Sequence, residues 1–203
     1  MQAFNFRKSA QAILGAALLT AVLSSGAATV DAAGVKFQDR AELGATKLVL
    51  NGAGVRFRTI FKVYAAGLYL SRTAATLDDV IAAPGAKRIT LVMLRDIEAD
   101  QISRLFLSGI MKSVPPSEAS RLTPVLLRLS EAVTGVRKFV PNDVLTIEFE
   151  PGVGTTFRVN GKRTGDTMGG ATVFDAAMHI WMGADPADWA LKDALLGKAA
   201  PSN

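Results

Sequence analysis

The sequence predicts an α+β fold, a large, mainly antiparallel β-sheet with helices on one face. Three observations carry this. Strand-like runs fall at residues 35–94 and again at 144–159, with helical patterns between and after them. Val144 to Glu150 (VLTIEFE) alternates with a period of two, and Asn160-Gly161 follows as a two-residue hairpin signal, both residues tolerating positive φ. Residues 97–114 instead place Ile102, Leu105, Phe106, Gly109 and Ile110 on one helical stripe, as a helix facing a sheet requires.

Before the first strand, residues 1–33 read as a secretory signal peptide. Arg7 and Lys8 form a basic start, Ala12 to Leu23 an apolar stretch, and Val30-Asp31-Ala32 fits a small-x-small cleavage site, with Gly26-Ala27-Ala28 a second candidate. The strongly apolar stretch is about a dozen residues, short of the roughly 20 that span a bilayer. The expectation is one domain over 34–197, a loose tail at 198–203, export to the periplasm or the exterior, and no stable membrane span after cleavage. Removing Arg7, Lys8 and Asp31 takes the formal charge of +5 to about +4, only mildly basic. The basic residues are scattered, so no nucleic-acid partner is expected. With no cysteine, the domain relies on its hydrophobic core, for which its length is ample.

Val35 to Leu43 reads as the first strand. Leu48 to Leu70 (LVLNGAGVRFRTIFKVYAAGLYL) follows as the organising stretch. Gly52 and Gly54 let its backbone bulge or be closely approached. The continuous apolar run from Ile60 suits a strand covered on both faces. Thr76 caps a short helix that Pro84-Gly85 ends, and Lys87 to Leu94 is a buried strand. The amphipathic helix over 97–114 stops at Pro115-Pro116. Thr123-Pro124 opens another, bearing Val125, Leu126, Leu129 and Val133 and closed by Gly135. Strand 144–150 is expected to keep one solvated face, and Thr155 to Val159 returns beside it. Thr164 to Gly170 reads as a flexible approach to a helix over 171–182 with Phe174, Ala177, Met178 and Trp181 on its apolar face. Asp185-Pro186 opens the last helix, Trp189 and Leu195 pack it, and Gly197 closes it.

Catalytic signatures are sparse. One histidine makes no multi-histidine metal site, so neither metal nor cofactor is expected. No nucleotide-binding glycine pattern occurs, because Gly52-Ala53-Gly54 lacks the third glycine and following helix. His179 and Asp175 fit an i,i+4 helix pair, and Asp96, Glu98 and Asp100 fit helix-start chemistry. Arg56 and Tyr64 stand apart. A guanidinium presents a planar fork to carboxylates or enolates, and a phenol adds one directional hydrogen bond. In an apolar wall the pair makes a receptor for an anion with a greasy tail. On one unbroken strand they share a face; with a turn near Arg58 to Ile60 they meet across neighbouring strands instead. A structural role also fits, with Arg56 on an internal acid or at the surface and Tyr64 as core.

The run GAGVR (52–56) followed by FKVYAAGLYL (61–70), with GATVFDAAMHIWMGADPADWALKDALLG (170–197), resembles the chalcone isomerase-like superfamily. That group includes plant chalcone isomerases, plastid fatty-acid-binding relatives and bacterial secreted members. The resemblance covers about Val35 to Gly197. It implies an open-faced β-sandwich with a ligand cleft between sheet and helical layer. In the isomerase branch, the arginine after the Gly-Val step orients a substrate phenolate, a role that would make Arg56 catalytic in an intramolecular lyase or isomerase acting on a flavonoid-like or other enolisable substrate. That branch has a threonine where Tyr64 stands and a further tyrosine with no counterpart after Tyr69. An arginine with a tyrosine in the KVY position instead resembles the fatty-acid-binding branch, where such a pair holds the carboxylate. The resemblance therefore implies a small-molecule ligand, a fatty acid or similar carboxylate or phenolate, held by Arg56 and Tyr64. A tail of about ten methylenes would gain about 8 kcal/mol, partly cancelled by ordering costs.

Overall fold

The structure, a computed structural model, describes residues 28–198 apart from 114–116, 118–119, 121–122, 125–126, 128–129, 132 and 134. Its centre is a seven-stranded, wholly antiparallel sheet. Numbered by position in the chain, its strands are β3 (Arg40–Leu43), β4 (Thr46–Arg58), β5 (Phe61–Leu70), β6 (Lys87–Met93), β9 (Val144–Glu150), β10 (Gly154–Val159) and β11 (Lys162–Met168). They lie in the order β11-β10-β9-β6-β5-β4-β3. Two small ribbons accompany it: β1 (Thr29–Ala32) with β2 (Val35–Gln38), and β7 (Ile97–Glu98) with β8 (Lys138–Phe139). Helices α1 (Leu77–Ala82), α2 (Ala99–Ser113), α3 (Thr172–Met182) and α4 (Trp189–Leu195) pack on the sheet, and residues 117, 120, 123, 124, 127, 130, 131 and 133 are also helical among the described residues. The α+β class and the helix-covered sheet are as expected.

Strand β5 is buried at every position from Val63 to Leu70, because both faces are covered. Tyr64, Ala66, Leu68 and Leu70 face the helical core, while Ala65 and Tyr69 pack beneath the β1–β2 ribbon. Phe37 of that ribbon lies so close to Gly67 that a Cβ there would fall 2.5 Å from the Phe37 ring. Helix α3 runs through the middle of the helical layer, with Phe174, Ala177, Met178 and Trp181 fully buried, as the stripe predicts.

Several sequence expectations give way to local chemistry. Residues 35–43 form two strands that break at Asp39 and belong to different sheets. Helix α2 starts at Ala99, two residues late, because Ile97 and Glu98 pair with Phe139 and Lys138. Strand β9 keeps no solvated face over its middle: Thr146 and Glu148 are buried. Arg88 and Arg158, from the two flanking strands, each donate to the Glu148 carboxylate at 2.8 Å and roof it over. Residues 162–168 form edge strand β11 rather than a loop, continuing the hairpin that Asn160 (φ 49) and Gly161 (φ 77) turn. Asp188, not Asp185, caps α4, accepting from Leu191 N–H at 3.1 Å, and Trp189 is 60% exposed. Of the helix expected after Pro124, Val125, Leu126 and Leu129 lie outside the described residues; Val133 is fully buried. Among the described residues, no helix is long and apolar enough to cross a membrane.

Candidate functional site

Arg56 and Tyr64 meet because the chain turns between them. The reversal falls at Thr59-Ile60, and Arg56 pairs directly with Tyr64 across β4 and β5. The cross-strand alternative is the one realised. Both side chains project toward the helices and are buried, at 7% and 2% exposure. The guanidinium carbon lies 5.6 Å from the phenol ring centre, a cation–π arrangement.

Backbone irregularity in β4 sets this up. Leu50 faces Tyr69 and Gly52 faces Leu68, so Asn51 is the extra residue of a β-bulge. Its buried side chain donates to Ala74 O (3.0 Å) and Leu195 O (2.7 Å) and accepts from Ala74 N–H (2.6 Å). Downstream, Gly52 and Gly54 admit α4 directly onto the strand. A Cβ on Gly52 would lie 2.0 Å from Ala194 O, and one on Gly54 would lie 2.6 Å from Ala194 Cβ. The close approach read from the glycine spacing is therefore real, and it seats Asp188 so that its carboxylate also accepts from Phe57 N–H at 2.8 Å.

Above the pair lies a cavity of about 230 Å³. Its walls are Ile102, Leu105, Phe106 and Gly109 of α2, Ile180 of α3, and Pro186 and Ala187 of the following loop. Lys112 and Asp185, both mostly exposed and 3.9 Å apart, stand at its mouth with Ser108. The α2 and α3 helices cross closely here: a Cβ on Gly109 would touch Ile180 Cγ1 at 3.2 Å.

The electrostatics are unbalanced. Among the described residues Arg56 has no ion-pair partner, and its Nε is buried with no hydrogen-bond partner. The Tyr64 hydroxyl accepts from Trp181 Nε1–H at 2.8 Å. With that acceptance made, the phenol proton is free to donate elsewhere. Burial pushes the Tyr64 hydroxyl above its ordinary value of 10.0; the Arg56 charge and the Trp181 N–H pull it down, Asp188 pushes up, and a hydrogen bond from the Arg56 side chain pulls down again. The phenol is thus a neutral donor at ordinary pH. Trp181 is the participant that sequence reasoning placed only in the core. Its ring meets Phe106 edge-on at 5.5 Å, which fixes the direction of the indole N–H.

The other candidates are not brought together with this pair. Asp175 makes a 3.4 Å ion pair with Lys87 rather than sitting beside a nucleophile, and burial raises its carboxyl above the usual value. Asp96 pairs with Lys138, and Asp100 approaches Arg104 at 4.0 Å on the surface. No group of residues able to hold a metal occurs among the described residues.

The fold resembles the crystal structure of a fatty-acid binding protein from Arabidopsis thaliana. The TM-score is 0.66 at 16% identity, covering 83% of this chain and 96% of that one. At that identity the likeness speaks for the fold alone. No curated protein matches the sequence. The sequence model of the chalcone isomerase-like family matches residues 29–197, nearly the whole described chain and both motifs that flank the Arg56 cavity, and the chain therefore belongs to the chalcone isomerase-like family.

Proposed function

We propose that this protein is an exported binder of a small amphipathic anion, with a carboxylate held by Arg56 and Tyr64 and an apolar tail lying along α2. The observation that carries this reading is a buried guanidinium with no ion-pair partner among the described residues and an unmet Nε, beside an oriented phenol at the floor of a cavity with apolar walls on α2 and α3. A buried cation without an anion is expensive, and an incoming carboxylate relieves that cost in two charge-assisted hydrogen bonds. The fatty-acid binding activity named for the Arabidopsis structure points the same way.

The cavity also sets a size. At about 30 Å³ for each water-sized group, 230 Å³ accommodates roughly eight non-hydrogen atoms. A carboxylate head leaves space for about five methylenes, worth about 4 kcal/mol, roughly half of what a ten-methylene tail would gain. A longer chain would continue past Leu105 and out between Lys112 and Asp185. The ligand of best fit is accordingly a short or medium-chain acid, or a longer one whose end stays near the surface.

Export is our reading of the N-terminal segment as a leader, and strand β1 favours the upstream of its two candidate cleavage sites. Cleavage after Ala32 would remove β1, whose Ala32 is buried beneath the sheet, whereas cleavage after Ala28 keeps the whole ribbon. We place the cut after Ala28. The test of function is native mass spectrometry of the exported protein, followed by titration with a chain-length series of saturated fatty acids. Co-purifying acyl chains, or binding that plateaus at medium chain length, supports the reading. No binding of any acid by the native protein overturns it. The same intact-mass measurement reads the cleavage site.

A further inference from the structure

The tip of the β4–β5 hairpin carries a surface that neither the fold nor the cavity explains. Ile60 is 78% exposed, Phe61 56% and Phe57 43%. A solvated turn favours Asn and Gly, and the β10–β11 hairpin uses them. This one is Thr59-Ile60 instead, with Thr59 held at φ 59, where a β-branched residue is an outlier. Around the apolar tip stand cations. Arg58 and Lys62 are exposed, and Arg95 holds its guanidinium 5.1 Å above the Phe61 ring. None of these three is ion-paired among the described residues. The neighbouring acids are engaged elsewhere: Asp188 accepts two backbone N–H groups, and Asp100 faces Arg104. Arg58 lines a shallow groove with Arg104, Leu105 and Ser108, and Leu105 and Ser108 also line the Arg56 cavity. The greasy, basic tip is therefore continuous with the cavity mouth.

We propose that this tip docks peripherally on an anionic lipid bilayer, with Phe57, Ile60 and Phe61 among the headgroups and Arg58, Lys62 and Arg95 against the phosphates. Each part has a physical reason. Aromatic and aliphatic side chains flanked by basic ones settle at the headgroup–acyl boundary. Each Lys or Arg near an anionic leaflet adds attraction that decays within a Debye length. A projecting hairpin tip needs no complementary pocket in a fluid boundary, as it would on a folded partner. Docking stands on the chemistry of the tip alone. Its purpose, passing a poorly soluble acid between bilayer and cavity, rests on the proposed ligand reading.

The test is co-sedimentation of the exported protein, its N-terminus verified, with phosphatidylglycerol-containing and pure phosphatidylcholine vesicles at low and high salt. Binding is expected on the anionic vesicles, weakened by salt and weak on the zwitterionic ones. Ile60→Ser with Phe61→Ser should reduce partitioning by about tenfold or more, with the melting temperature unchanged. Arg58→Glu with Lys62→Glu should abolish the preference for anionic lipid. Arg56→Met should lose fatty-acid binding and keep vesicle binding, which separates this proposal from the ligand reading. Absence of binding to anionic vesicles, equal binding to both compositions, or indifference to the tip substitutions overturns it. So does a concentration-dependent dimer that Ile60→Ser with Phe61→Ser dissolves, which would make the tip a surface between copies.

Discussion

Replacing Arg56 by methionine separates what the guanidinium contributes to folding from its part in the proposed binding. In the folded protein the side chain is 7% exposed, has no ion-pair partner among the described residues, and buries an unmet Nε. One unmet buried donor costs about 1–3 kcal/mol. The cation–π contact with Tyr64, 5.6 Å to the ring centre, offsets about 0.5–2 kcal/mol of that. Methionine is unbranched and polarizable, occupies much of the same slot, and needs no partner. The expected outcome is a protein more stable by about 1 kcal/mol, which for a domain of this size raises the melting temperature by roughly 2–4 °C. Binding should vanish. A native protein at a ligand concentration 100 times its Kd gains about 2.7 kcal/mol, so its melting temperature should rise with added fatty acid while that of the variant stays put. Differential scanning calorimetry with and without ligand reads both quantities. If the variant melts several degrees lower, or still shifts with ligand, the guanidinium is a structural part and the reasoning fails.

Tyr64→Phe removes the acceptor of the Trp181 N–H and should destabilise by about 1–3 kcal/mol in chemical denaturation. Because burial raises the Tyr64 hydroxyl, the unfolded chain loses this proton first. Its contribution to stability is full below pH 10 and lost as pH rises through the folded value, so the variant should show a shallower alkaline decline, with Tyr69, also raised by burial, supplying part of what remains. Glu148→Gln leaves Arg88 and Arg158 facing a neutral group. The expected cost is about 2–3 kcal/mol, below the roughly 3–5 of a fully buried pair because both arginines reach solvent. Gly52→Ala drives a Cβ into Ala194 O and should cost at least about 3 kcal/mol, whereas Gly169→Ala, with nothing within 4 Å, should change the melting temperature little.

What could be read from residues alone divides along a physical line. Local and periodic features were legible: the type of hairpin at Asn160-Gly161, the Thr76 cap that accepts from Asp79 N–H at 3.1 Å, the α2 stripe, and the two-sided burial of β5. So was the meeting of Arg56 with Tyr64 across a turn, one of the two arrangements their spacing allowed. Features set by partners distant in sequence were not. Period-two alternation in VLTIEFE says which side chains share a face, but Arg88 and Arg158, on two other strands, decide that Glu148 is buried. Asp185-Pro186 has the local chemistry of a helix start, yet α4 begins where Asp188 can also reach Phe57 N–H. Trp181 fits the apolar stripe of α3, and nothing in that stripe tells that its one polar atom meets a hydroxyl 117 residues away in the chain.

The site depends on backbone devices several residues removed from it. Without the Asn51 bulge, the positions before and after it would exchange faces, and Arg56 would point toward the β1–β2 side instead of the helices. The absence of side chains at Gly52 and Gly54 then allows α4 to close over the strand beside Arg56, while Asn51 ties that strand to Ala74 and Leu195. A charge placed on the inner face of a sheet is ordinarily an error that folding would not tolerate. Here the bulge aims it, the helix walls exclude water from its Nε, and the hydrogen bond from Trp181 turns the neighbouring phenol proton away from the indole. Because α4 rests on the same strand at Gly52 and Gly54, loosening α4 should free the backbone beside Arg56, let water reach its Nε and, on the ligand reading proposed above, weaken anion binding.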